Sequence, residues 1–188
     1  RARMPSRPGG IHIMHAGRLP FHGRAPVPSS IVLILASFAV LGSALLAPAA
    51  QAANLVGPIA PATCVTAAYP CVTFDVRIAR DDAVPLRGYS VTIHLSPELV
   101  LCSGLGSITQ GDYLNSVGNT TFQILDLGSG SYTVDCAILG SPCGAVGDGT
   151  LFHVAASKAG GDGTGTLTVD SVTLRDCENG PVAGAPGP

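Results

Sequence analysis

Tryptophan is absent from this chain, and aromatic residues make up only 5% of its 188 residues. Sugar-binding sites use flat rings that pack against the apolar faces of sugars, so the composition argues against a broad surface for crystalline polysaccharide. A groove for one sugar chain would need only a single ring. Tyr113 lies between Asp112 and Asn115 in a Gly-containing polar loop, and these three residues are predicted as a weak ligand surface.

Basic residues are scarce after residue 52, where five Lys or Arg stand against twelve Asp or Glu. The formal net charge of this part is therefore −7, although the whole chain carries −2. Nucleic acids and anionic membrane surfaces are bound through clusters of Lys and Arg. Neither is expected to be a partner.

Motifs of common catalytic sites are missing as well. No G-x-S-x-G elbow accompanies His94 or His153, the two histidines after residue 52. Asp126 and Asp135 flank a predicted hairpin and would face each other, as the two carboxyl groups of a glycosidase do. The sequence shows no aromatic-lined cleft around them, so they are interpreted as polar strand residues. The chain is predicted not to be an enzyme.

Metal-binding motifs are similarly weak. The sequence has no C-x-x-C pair and no EF-hand spacing. Asp148-Gly149 and Asp162-Gly163-Thr164 offer oxygen ligands in turns, so calcium is the alternative, although Asp-Gly pairs are also ordinary turn chemistry. No metal site and no cofactor are assigned.

The first 52 residues are typical of an export signal. A basic segment leads into an apolar run at 31–46, and Ala50-Gln51-Ala52 forms an A-x-A cleavage site. The alternative is a membrane anchor, but the run falls short of the roughly 20 residues that span a bilayer. We expect a signal peptide at 1–52, no membrane span after its cleavage, and a secreted, extracellular or cell-surface protein.

Six cysteines follow this signal, and an even number in an exported chain indicates disulfides. Two pairs are close in sequence and would close small loops carrying Pro or Gly, which leaves a third, long-range pair. The predicted pairs are Cys64–Cys71, Cys136–Cys143 and Cys102–Cys177.

Hydrophobic residues after residue 70 alternate with a period of two, which is typical of strands. Gly-rich turns separate the strands, and Leu127-Gly128-Ser129-Gly130 predicts a hairpin tip. A phase change near Asp170-Ser171 suggests a bulge. The pattern predicts an all-β sandwich or barrel at 71–178, after a lead-in at 53–70 and before a Gly/Pro linker, which we expect to be truncated, at 179–188. The strand candidates are 72–78, 91–95, 121–127, 131–138, 150–157 and 164–174.

The order of these strands resembles that of cohesin domains and the related carbohydrate-binding-like sandwiches. The resemblance covers residues 72–176 and is carried by the alternating first strand, by Gly88–Leu99, by the strand Tyr132–Ile138, and by Gly149–Val154 with the closing strand Gly165–Arg175. It implies a cohesin-like jelly-roll or Ig-like sandwich of about eight to nine strands.

This resemblance also implies a function in binding or scaffolding, with another exported protein as the partner. Two alternatives stay open at this point. One is a carbohydrate-binding module that acts with polysaccharide-degrading enzymes, so that the partner is a polysaccharide. The other is a structural spacer of a cell-surface protein. A fold alone does not decide among them.

Overall fold

A computed structural model describes residues 54–160 and 163–188 of the chain. The predicted signal peptide and Asp162 lie outside the described residues. Within them the chain forms eleven strands and one short helix. The elements are β1 (Asn54–Ile59), β2 (Cys71–Ala79), β3 (Leu86–Leu95), β4 (Leu99–Leu105), β5 (Ile108–Gln110), α1 (Asp112–Asn115), β6 (Thr120–Gly128), β7 (Ser131–Ile138), β8 (Gly149–Lys158), β9 (Leu167–Asp176), β10 (Pro181–Val182) and β11 (Gly184–Pro186).

The strands form two sheets. One has the order β11-β1-β2-β8-β4, with β5 also paired to β8, and the other has the order β10-β9-β3-β7-β6. Most neighbours are antiparallel, whereas β1 and β11 are parallel. The predicted all-β sandwich is confirmed. Among the described residues, no helix combines the length and the apolar character that a membrane crossing requires.

The hydrophobic core lies between the sheets because every second side chain of a strand points inward. In β3 the inward residues Tyr89, Val91 and Ile93 are buried. Tyr89 packs against Phe152 of β8, with ring centroids 6.3 Å apart, and its hydroxyl donates to the Leu151 carbonyl at 2.7 Å. Burial raises the pKa of Tyr89, so this hydroxyl stays protonated and keeps its hydrogen bond.

The strands with clear alternation are confirmed: β2, β3, β6, β7, β8 and β9 all lie where the pattern placed them. The bulge near Asp170 is also confirmed, because β9 shifts register there: Thr92 pairs with Ser171, but Ile93 pairs with Val169. The hairpin tip is confirmed as a two-residue turn between β6 and β7, with Gly128 paired to Ser131.

Both ends of the described chain belong to the sandwich, which corrects two predicted boundaries. The lead-in contains β1, whose Val56 is fully buried, and the predicted linker contains β10 and β11. β11 pairs with β1, and the Gly187 N–H donates to the Val56 carbonyl at 2.7 Å. Residues 179–188 are therefore not a linker: their backbone groups complete a sheet, and Gly184 lets the strand lie close to Leu174.

The predicted cysteine pairing is wrong, although disulfides are present. The two bonds join Cys71 to Cys102 and Cys143 to Cys177, whereas Cys64 is exposed and unpaired and Cys136 is buried and unpaired. Cys136 lies on the inward side of β7 between Val134 and Ile138, so its thiol cannot reach the loop of Cys143. Proximity along the chain did not indicate proximity in space.

Candidate binding face

The solvent side of the five-stranded sheet, here called the binding face, consists mainly of small polar side chains. These residues alternate with the core residues along each strand and line up across the strands through the pairs Ser90–Asp135 and Thr92–Thr133. The Thr92 and Thr133 hydroxyls are 3.1 Å apart and share a hydrogen bond. The result is a hydrogen-bonding surface across β9, β3 and β7, whereas β6 adds the exposed apolar Leu125 opposite Thr133.

A shallow groove of about 620 Å³ crosses one end of the binding face. Gly88 and Ala137, which are opposite each other in register, are among its lining residues. A Cβ at Gly88 would lie 3.1 Å from the Cys136 carbonyl oxygen. Because glycine has no side chain, no group protrudes from the sheet at this point of the groove. The sides carry polar groups: Arg87, Thr121, Gln123, Asp135, Thr173 and Arg175.

Two guanidinium groups border this groove. Arg87 donates from Nε to the Ile138 carbonyl and from Nη1 to the Cys177 carbonyl, each at 3.3 Å, which holds its side chain against the sheet. Arg175 on β9 is exposed and its Nη1 lies 3.5 Å from the Asn179 carbonyl. Asp135 on β7 adds a carboxylate to the lining of the same groove. The groove can therefore recognise both acceptors and donors of a partner, within an otherwise acidic part of the chain.

Asp126 and Asp135, which the sequence analysis interpreted as polar strand residues and not as a catalytic pair, do not face each other. Asp126 is opposite Tyr132 and Asp135 is opposite Gln123 in the β6–β7 register. Because opposite residues share a face, Asp126 points to the side of the core residue Tyr132 whereas Asp135 points to the binding face. The Asp126 carboxylate accepts a hydrogen bond from the Gly128 N–H at 2.8 Å, as a turn residue does.

The two histidines lie on different sheets. His94 is on the binding face, where its Nδ1 lies 3.0 Å from the Ser131 hydroxyl. His153 is on β8 in the other sheet and contacts the Asp75 carboxylate through Nδ1 at 2.7 Å. Both side chains make cross-strand contacts, which are ordinary stabilising contacts of a sheet.

The predicted ligand surface at α1 is only partly correct in position. Asp112 and Asn115 are exposed, but Tyr113 is only 5% exposed. The Tyr113 hydroxyl accepts a hydrogen bond from Arg80 at 2.9 Å, and burial raises its pKa. Its ring therefore belongs to the interior and offers no surface for a sugar. Sequence context misled here because a Gly/Asp/Asn loop usually exposes its residues.

A buried arginine at this site was missed by the sequence analysis. The Arg80 side chain is 1% exposed and contacts Asn54, Asp82, Tyr113 and the Val84 carbonyl. Asn54 in turn donates to Asp82 at 2.8 Å and to the Ala183 carbonyl at 2.7 Å. An isolated Arg after a strand gives no sequence signal of burial, because the partners of its side chain come from three segments: β1, residues 82–84 and α1.

The aspartates of the two predicted turns, Asp148 and Asp162, are not part of a metal centre within the residues that the structure describes. Asp148 accepts a hydrogen bond from the Arg80 backbone N–H at 2.7 Å, and Asp162 lies outside the described residues. Within residues 54–160 and 163–188, no group of three or more His, Cys, Asp and Glu side chains comes close enough to hold a metal ion.

Comparison with solved structures identifies the fold. The chain is similar to a non-cellulosomal cohesin from the archaeon Archaeoglobus fulgidus, with 18% identity, 72% of this chain and 86% of that chain covered, and a TM-score of 0.53. It is similar at 14% identity to the sixth cohesin of scaffoldin B from Acetivibrio cellulolyticus, a structure in complex with a Cel5 dockerin mutant, with coverage of 72% and 95% and a TM-score of 0.52.

A third similar structure is the cohesin module of a family 33 glycoside hydrolase from Clostridium perfringens, at 8% identity, with coverage of 70% and 90% and a TM-score of 0.53. No family model and no curated protein matches the sequence. The identities are low while the strand arrangement is shared over most of each module. The described part of this chain is therefore a cohesin-like β-sandwich.

Proposed function

We propose that this chain is a non-catalytic, exported protein-binding module that docks a partner protein on the binding face. The observation that carries the proposal is the surface itself: a sheet of small polar side chains crossed by a groove with two arginines and Asp135. Protein interfaces need a surface that a partner can approach closely and that offers hydrogen bonds. Glycine and short side chains provide this here.

The cohesin fold supports a protein as the partner. Three of the similar structures are complexes of a cohesin with a dockerin protein. The burial of Tyr113 speaks against the sugar-binding alternative, because it removes the exposed ring that this alternative relied on. A partner protein is thus better supported than a polysaccharide.

A non-catalytic role is supported by the placement of the titratable groups. Asp126 and Asp135 point to opposite sides of their sheet, and His94 and His153 lie on different sheets. The two aspartates are therefore separated by their own sheet, and the two histidines by the core.

Export is supported by the two disulfides, since such bonds persist in oxidising compartments. The signal-like segment at 1–52 gives the same indication from the sequence. The protein is proposed to act outside the cytoplasm, either secreted or at the cell surface.

The test is capture of proteins from the culture medium of the source organism by the immobilised module, with identification by mass spectrometry and titration of the purified partner by calorimetry. Thr173→Arg places a long side chain at an exposed position of the groove. Because it obstructs close approach, we expect it to weaken partner binding by about tenfold or more.

The matched control is Thr73→Arg, the same change at an exposed position of β2 on the other sheet. It should bind like the wild type. Equal loss in both variants, or retention of a soluble polysaccharide in affinity electrophoresis with no protein captured, would overturn the proposed function.

A further inference from the structure

Strand β6 forms an open edge of the five-stranded sheet. It is nine residues long, and among the described strands it pairs only with β7. A strand with one neighbour directs alternate backbone N–H and C=O groups away from the sheet, where another strand can bind them. The proposed contact uses the backbone of β6, whereas the binding face is formed by side chains. The exposed Leu125 side chain, opposite Thr133, lies where this edge and the binding face meet.

The other described sheet edges carry features that prevent such pairing. β10 has two residues including Pro181, β11 has three including Pro186, β5 has three, and β4, although seven residues long, pairs with β8 over three residues only. Short strands and proline are the usual protection of an edge. β6 contains neither proline nor a basic residue, and its register shift against β7 lies at the end of the strand, between Asp126 and Gly128. Residues 120–126 therefore form a regular edge without this protection.

The side chains of β6 favour a neighbour as well. Leu125 is 58% exposed and Leu127 is 54% exposed, so two large apolar side chains lie in solvent at this edge. The single charged residue of the strand is Asp126, whose carboxylate is bound by the Gly128 N–H. Pairing would cover the apolar surface of Leu125 and Leu127. It would bury no charge of β6 other than that of Asp126.

The strand is compatible with its own antiparallel copy. In a register centred on Leu125, the two Leu125 side chains meet and Gln123 is opposite Leu127. Centred on Ile124, Gln123 is opposite Leu125 and Asp126 is opposite Phe122. Neither register brings two carboxylates together, and antiparallel pairing lets one surface serve both partners.

We propose that β6 pairs with β6 of a second copy of this chain and forms a homodimer with a continuous ten-stranded sheet. The two-fold axis is then perpendicular to the sheet, because residues opposite each other share a face. Both binding faces lie on the same side of the dimer, so a docked partner would meet two grooves on one surface.

Sedimentation velocity of the purified protein tests this proposal in a Cys64→Ser background, which removes the exposed thiol and therefore excludes covalent dimers. We expect a reversible, concentration-dependent dimer. Leu125→Lys together with Leu127→Lys places like charges at the edge, so it should raise the dimer Kd by about tenfold or more. In the dimer the β6 amides should exchange hydrogen more slowly.

The matched control carries Ile59→Lys and Val146→Lys. These residues are 53% and 58% exposed and lie away from β6, so the control has the same added charge and should dimerise like the parent. A protein that stays monomeric up to about 1 mM, or a dimer that persists in the β6 lysine variant, would refute the pairing. So would a dimer in which the β6 amides gain no protection.

Discussion

At the scale of single residues, Arg80 joins several separate segments of the chain. Its guanidinium is bound by groups from β1, from the segment after β2 and from α1, and its backbone N–H by Asp148. A buried charge is tolerated only when it is paired and hydrogen-bonded. In the described residues no buried side-chain polar atom lacks a partner.

Arg80→Ala is therefore expected to lower the free energy of unfolding by about 3 kcal/mol, because it takes the paired charge from Asp82 and one donor from the Asn54 side-chain oxygen, and empties a buried site. Urea denaturation followed by circular dichroism measures the change. Arg77→Ala, on an exposed position of β2, should cost less than about 0.5 kcal/mol. A similar loss in both variants would mean that the Arg80 network contributes nothing specific.

Asp82 makes this network sensitive to acid. Burial alone would raise its pKa, but hydrogen bonds from Asn54, Arg80 and the Val84 N–H outweigh burial and lower the pKa below the usual 3.8. A carboxyl with a lowered pKa in the folded state stabilises the fold above its unfolded pKa and loses this contribution as the pH falls through the folded value.

The Asp82→Asn variant should accordingly be less stable than the wild type near neutral pH, and the difference should shrink as the pH falls from about 5 toward 2. Urea unfolding at a series of pH values measures it. Asp81→Asn changes an exposed neighbour and should show no such convergence. A difference between Asp82→Asn and the wild type that is independent of pH would contradict the assignment.

Cysteines show why residue-level predictions partly failed. The even cysteine count and the predicted export signal led to the expectation of disulfides, and disulfides are present. The pairing depends on which strands become neighbours: Cys71 opens β2 and Cys102 lies in β4, and both of these strands pair with β8. No local spacing carries that information, and the inward position of Cys136 became clear only with the register of β7.

At the scale of elements, the β6–β7 turn contains one residue that suits its left-handed backbone conformation, Gly130, and one that suits it less well, Ser129. Ser129 has φ 51° and Gly130 has φ 80°, the left-handed pair that a two-residue hairpin turn of type I′ requires. Glycine adopts this conformation freely, whereas serine adopts it at a cost of about 1 kcal/mol. Asparagine is the preferred residue at this first position.

Ser129→Asn should therefore raise the free energy of unfolding by about 0.5 kcal/mol, and Ser129→Val should lower it by about 1–2 kcal/mol, because a β-branched side chain fits the left-handed region poorly. Ser129 is exposed, so packing does not enter the comparison. Thermal unfolding of the three proteins ranks them; equal stabilities would contradict the turn type.

Strand prediction succeeded where the side chains alternate. β2, β3 and β7 each bury one face, so the pattern determines both the strand and its orientation. Five strands were missed. β1, β10 and β11 contain Pro58, Pro181 and Pro186, β5 has only three residues, and the burial of β4 does not alternate regularly. Such segments become strands only because a neighbouring strand offers its edge.

At the scale of the whole molecule, the two ends of the described chain close the sandwich together. Val56 and Leu174 are buried beneath the region where β1, β9 and β11 meet. Removal of residues 181–188 is expected to lower the free energy of unfolding by about 2–4 kcal/mol, because it exposes apolar surface and breaks the β1–β11 hydrogen bonds.

Urea denaturation of the shortened protein measures this loss. A protein of unchanged stability would show that these residues act as a linker after all, as the Pro/Gly composition predicted.

The fold class was predictable from the whole chain because alternation and turns recur along it. The binding face was not, because its groove depends on Gly88 lying beside Ala137 and between two arginines that are 88 residues apart in sequence.

The parallel pairing of β1 and β11 has a mechanical consequence. If the chain is pulled from the N-terminal side of β1 and from the C-terminal side of β11, the two strands are drawn past each other along their common direction. Their hydrogen bonds then carry the load simultaneously, in shear, and do not open one after another like a zipper. The Asn54 amide on the Ala183 carbonyl and the Gly187 N–H on the Val56 carbonyl share that load. This arrangement should make the sandwich resist tension that is applied along the chain.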